Sequence, residues 1–155
     1  MYKTVFTLMG ALLSLAIYAQ DGQAALRKQQ FNTSDGVAIK GYDPVAYFTE
    51  HKAVKGSEDQ ATVYNGITYY FSSAANREAF KKDPARYEPQ YGGWCAYAMG
   101  KKGTKVEVDP GTFKIIDGRL FLFYNQYFNN TLTSWNKDET NLHHQADNNW
   151  THFIH

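Results

Sequence analysis

The sequence contains a single cysteine, Cys95, in 155 residues. No internal disulfide can therefore staple the fold, and no four-thiolate zinc site can form. Net charge is nearly absent: 16 Lys and Arg stand against 15 Asp and Glu, leaving +1. That is too little for the electrostatic footprint of a nucleic-acid binder. No Ser-His-Asp order, phosphate-binding glycine-rich loop or paired-carboxylate motif points to hydrolysis. There is no low-complexity tract and no internal repeat of useful length. Aromatic side chains, by contrast, are abundant, with 12 Tyr, 10 Phe and 3 Trp. Together with a hydrophobic content of 43 %, they call for a packed core and exclude wholesale disorder. The length suits one domain.

Met1–Gln20 reads as an address. Lys3 supplies a positive start, Val5 to Ala16 is apolar and uncharged, and the small residues Ala16 and Ala19 precede a polar stretch. This is the tripartite pattern of a secretory signal peptide, here residues 1–19. The apolar core is shorter than the ~18–20 residues needed to span a membrane. The expected location is periplasmic or secreted, with the signal removed and no membrane span. Residues 20–35 are expected to form a loose polar leader, and 36–154 a single domain that includes a helical tail.

Within that domain, Asn65-Gly66 and Asp117-Gly118 each sit between β-branched and aromatic runs, so each marks a hairpin with a type I′ turn. Asp43-Pro44 starts a short helix, and Ser73 caps another that runs to about Lys82. Trp94–Met99 reads as a small-residue helix closed by Gly100 or Gly103. Leu120–Tyr124 is apolar on both faces and should be covered on both sides. Residues 126–154 look helical, with Phe128, Leu132 and Trp135, then Leu142, Ala146, Trp150 and Phe153, at spacings of about three and four residues. The expected class is α+β: a small antiparallel sheet of hairpins with packed helices.

Several strings are specific enough to carry a resemblance. They are Gly41-Tyr42-Asp43-Pro44-Val45-Ala46-Tyr47-Phe48, the hairpin exit Tyr64–Ser73, Phe80-x-x-Asp83-Pro84-x-x-Tyr87, Pro89-Gln90-Tyr91-Gly92-Gly93-Trp94-Cys95-Ala96, and Asp117-Gly118-Arg119-Leu120. Together they closely resemble secreted bacterial YHS-domain proteins over roughly residues 36–150. The resemblance implies a link to heavy-metal handling, through relatives fused to copper-transporting ATPases. It implies no established reaction. Metal-associated relatives carry cysteines where this chain has Ala46, Ser72 and Asn76. Ala has no donor atom, and neutral hydroxyl and amide oxygens are poor ligands for soft ions.

Cys95 is the leading candidate for chemistry. If it lies in the first turn of a helix, Met99 shares its face, and thiolate plus thioether is a donor set that Cu(I) prefers. Three readings stand: a packed core thiol, a copper or zinc ligand, or a redox-active or nucleophilic thiol able to pair with another molecule. His152 and His155 could place two imidazoles on one helix face for weak Zn or Cu binding, or simply form a solvated face. Tyr42, Tyr70, Tyr91 and Trp94 could wall a pocket or fill the core. The functional expectation is a small binding protein, with a thiol enzyme or an aromatic interaction domain as alternatives. N-terminal sequencing of the exported protein should find a start between Gln20 and Ala25; a chain still beginning at Met1 would overturn the signal-peptide reading.

Overall fold

The computed structural model describes residues 21–154. The expected signal peptide and His155 lie outside the described residues. Residues 21–30 form helix α1, followed by the two-residue strands β1 (Thr33–Ser34) and β2 (Val37–Ala38). Helix α2 (Ala46–Thr49), strands β3 (Ser57–Tyr64) and β4 (Ile67–Phe71), and helices α3 (Ala74–Lys82) and α4 (Pro84–Tyr87) come next. Then follow α5 (Ala96–Lys102), β5 (Asp109–Ile116), β6 (Arg119–Phe123), β7 (Asn125–Gln126), β8 (Asn129–Asn130), α6 (Thr131–Trp135) and α7 (Glu139–Ile154). The class is α+β, as expected.

Four strands join in the order β1-β2-β4-β3, and β5 pairs with β6 as β7 pairs with β8. Both expected hairpins form around Asn65-Gly66 and Asp117-Gly118, whose φ angles are all positive. One pairing departs from the antiparallel expectation: β2 lies parallel to β4, through Val37 opposite Thr68. The Ser73 hydroxyl accepts from the Asn76 backbone N–H at 3.1 Å, capping α3 as its residue type dictates.

Two hydrophobic clusters fill the interior, and β6 supplies both. Side chains alternate across a strand. Leu120 and Leu122 therefore enter a cluster with Ile67, Tyr69, Phe71 and Phe80, while Phe121 and Phe123 enter one with Met99, Trp135, Leu142 and Ala146. All four β6 side chains have no exposed surface. In the first cluster the Tyr69 and Phe71 rings lie 4.8 and 5.1 Å from Phe80. In the second, Trp135 meets Phe123 edge-on at 5.5 Å.

Two expectations are corrected. The leader is not loose: residues 21–30 are helical, the Arg27 guanidinium pairs with Glu88, and Phe31 packs edge-on against Trp150 at 6.0 Å. Nor is the tail helical throughout. A hairpin of β7 and β8 intervenes, and Phe128, which fits the helical period with Leu132 and Trp135, stands in solvent at its tip. The helices resume at Thr131, whose N–H bonds the Tyr124 carbonyl at 3.0 Å and closes the hairpin's base.

Helix α7 lies so close to α5 that a Cβ on Gly100 would sit 2.4 Å from the Leu142 carbonyl oxygen. Only glycine allows that approach. Trp135 and Ala146 are fully buried and Leu142 nearly so, and burying a large apolar side chain is worth about 1.5–3 kcal/mol against a total stability of about 5–15 kcal/mol. Truncation after Asn125 should give an aggregating product without a cooperative melt. A soluble truncated chain that melts like the parent would show that the tail adds nothing to the fold.

Candidate functional site

Cys95 is the N-cap of α5, with extended backbone at φ −59° and ψ 116°, not a residue of its first turn. Its backbone N–H bonds the Val106 carbonyl at 2.9 Å, which fixes the entry to the helix, and Gly103 ends it in the left-handed region at φ 62°. The sulfur accepts the Tyr124 backbone N–H at 3.4 Å and lies 3.4 Å from the Thr131 hydroxyl oxygen. The Thr131 hydroxyl donates its one proton to the Tyr124 carbonyl at 2.8 Å. The thiol must therefore be the donor in the Cys95–Thr131 contact. Cys95 has no exposed surface, which withdraws its sulfur from a second chain's thiol and runs against intermolecular pairing in the folded state.

The structure does not bring the two sulfurs into one setting. Cys95 belongs to the first cluster and Met99 to the second, among Phe121, Trp135 and Ala146. The helical rule that residues four apart share a face fails here because the first of the pair lies outside the helix. His152 is exposed on α7, its Nδ1 3.3 Å from the Asn149 carbonyl. Among the described residues no group of three or more His, Cys, Asp or Glu is arranged to hold a metal ion.

The four aromatic candidates also part company. Tyr70 lines a surface cleft with Lys40, Lys55 and Glu58. Tyr42 lies beneath the Lys55 ammonium, 4.5 Å from its ring centre. The Tyr91 hydroxyl donates to Asp147 at 2.9 Å from within the second core, and burial together with that carboxylate pushes its pKa well above the usual tyrosine value. The Trp94 indole N–H reaches the Gln30 carbonyl at 2.7 Å and so helps seat α1.

What the sequence left unread is a cavity of about 590 Å³ beside Cys95. Its walls are Tyr97, Ala98, Val106 and Tyr124, with Lys101 and Lys102 on α5 and Thr131 beyond the β7–β8 hairpin. The volume falls within the range of small-molecule sites. Both lysines are exposed, and among the described residues no acidic side chain lines the cavity. The Lys101-Lys102 pair in the last turn of α5 was visible in the sequence as a favourable helix ending. Its partner residues, Tyr124 after β6 and Asn129 and Thr131 at the hairpin's base, come from elsewhere in the chain and gave no local signal.

A second locus gathers Ala46, Ser72 and Asn76. Asp43 is fully buried, and its Oδ1 accepts the backbone N–H groups of Val45 at 2.8 Å and Ala46 at 3.3 Å. Its Oδ2 accepts the Ser72 N–H at 2.8 Å, the Ser72 hydroxyl at 2.7 Å and the Asn76 amide at 2.7 Å. Five donors thus converge on one carboxyl group and lock the start of α2 to the end of β4 and the first turn of α3. Of the three positions that differ from the thiolate pattern, Ser72 and Asn76 are engaged through their side chains and Ala46 through its backbone N–H.

Residues 45–91 match the family model of the YHS domain, while no curated protein and no solved structure matches the chain. The YHS domain is associated with heavy-metal handling. The matched segment contains Ala46, Ser72 and Asn76 and stops short of Cys95.

Removing a buried acceptor strands its donors, at about 1–3 kcal/mol for each buried one left unmet. Asp43→Ala should therefore lower stability by about 3 kcal/mol or more, read from chemical denaturation. A loss below about 1 kcal/mol would mean that water replaces the carboxyl group and that the locus is not a fastening.

Proposed function

We propose that the chain is an exported, non-enzymatic binding protein that takes a small amphipathic anion in the cavity beside Cys95. The observation that carries this reading is the lining: apolar and aromatic walls with two exposed lysines and, among the described residues, no opposing carboxylate. An apolar body gains from burial against Tyr97, Val106 and Tyr124, and a carboxylate or phosphate on the ligand meets Lys101 and Lys102. Periplasmic or secreted location is part of the proposal and rests on the pattern of residues 1–19.

A soft metal ion is the second reading, prompted by the heavy-metal association of the YHS domain, with Cys95, just beyond the matched segment, as the one thiol that could hold it. The thiol would supply one soft donor after giving up its proton and its contact with Thr131. The neighbouring lysines oppose a bare cation, so further donors would have to arrive with the ion.

Thermal-shift titration with octanoate tests the first reading. A saturable rise in Tm is expected, with the affinity falling about tenfold in K101Q/K102Q; no shift, or an equal shift in the variant, overturns it. Native mass spectrometry of the reduced protein with Cu(I) and Zn(II) tests the second. Equal metal uptake by Cys95→Ala would remove Cys95 from any metal site.

A further inference from the structure

Four two-residue hairpin loops occur among the described residues, and three of them have the same chemistry. Asp35-Gly36 joins β1 to β2, Asn65-Gly66 joins β3 to β4, and Asp117-Gly118 joins β5 to β6, every one of these six residues with positive φ. Such turns require the left-handed region at both positions, where Asn or Asp and then Gly are tolerated at least cost. The fourth loop, joining β7 to β8, has Tyr127 at φ 51° and Phe128 at φ 61°. Bulky side chains are true outliers there.

The strain brings no packing in return. Tyr127 is 87 % exposed and Phe128 fully so, and among the described residues the one other large hydrophobic side chain so exposed is Val63, on another strand. The hairpin is fastened at its base. Gln126 pairs with Asn129, the Asn125 amide donates to the Thr112 hydroxyl at 3.0 Å, and the Asn130 side chain accepts the Leu132 N–H at 3.0 Å. A position that breaks the local rule without a compensating contact marks function.

From this we infer that the Tyr127-Phe128 tip is a membrane-docking wedge for a surface rich in anionic lipid. Asn129, the residue after the tip, lines the same cavity as Lys101 and Lys102, so the hairpin that carries the two rings borders a cavity with two exposed lysines. Amphipathic Tyr and apolar Phe insert at the headgroup boundary while nearby lysines meet the anionic surface. A second copy of this chain suits the face less well, because a two-fold contact there would set the lysine pairs against each other. The inference does not rest on the ligand reading, since neither ring belongs to the cavity wall.

The test compares exported protein with the variant Y127N/F128G, which installs the turn chemistry of the other three hairpins, so that both carry the same N-terminus. The variant should melt at the parent's Tm or above it and still shift with octanoate as the parent does. The parent should co-sediment with phosphatidylglycerol-containing vesicles and far less with phosphatidylcholine vesicles. Binding to the anionic vesicles should fall about tenfold or more in the variant, and the K101Q/K102Q variant should lose the salt sensitivity of binding. Equal sedimentation of parent and Y127N/F128G, or none by either, overturns the inference. So does a concentration-dependent mass that the turn variant abolishes while vesicle binding stays absent, which would place the tip between copies of the chain.

Discussion

Strand β6 is the constraint on which the rest depends. Five residues long, paired with β5 and bridged at Leu120 to Pro89, it is nevertheless apolar on both faces, and each face has to be covered by a different part of the chain. The first sheet and α3 cover Leu120 and Leu122, while α5, α6 and α7 cover Phe121 and Phe123. A one-residue slip against β5 would exchange leucines and phenylalanines between two cores shaped for one or the other. The Asp117-Gly118 turn is what holds that register, so a short local signal governs the packing of two distant layers.

Elements whose signals are local were legible in the sequence. The Asx-Gly turns, the Ser73 cap and the doubly apolar β6 each depend on a few adjacent residues, and each appears where those residues place it. The tail misled because its apolar spacing is ambiguous. Phe128, Leu132 and Trp135 fit a helical period, yet the first of them belongs to a turn whose residues carry no turn signature. The leader misled because its polar composition hid Arg27, Phe31 and Asn32, whose contacts are with Glu88, Trp150 and Gly93, all more than sixty residues away.

The site was less legible than the fold for a related reason. Cys95 was identifiable as the one thiol, but its pairing with Met99 assumed that the helix had begun. One residue of difference at the N-cap turns a shared face into two separate clusters. The cavity beside it is assembled from α5, the segment after it, Tyr124 and the hairpin base, and no motif spans those pieces. Asp43 could be read as a capping residue, which it partly is. That Ser72 and Asn76 also converge on it required the β3–β4 hairpin to bring residues some thirty positions away back to the same point.

The thiol's enclosure has a consequence for the chain's life before it is folded. In an oxidising compartment an exposed cysteine is open to small disulfides, and here there is no second cysteine to resolve the adduct internally. An adduct on Cys95 would displace the sulfur's contacts with the Tyr124 N–H and the Thr131 hydroxyl and project into the neighbouring cavity. A chain capped before its core closes would fold without the thiol's bonds at the junction of α5 and the hairpin and with the adduct occupying the cavity. Wherever small disulfides are present, closure of that junction and capture of the thiol therefore compete in time, and which is faster decides whether the cavity of the folded chain is open or filled.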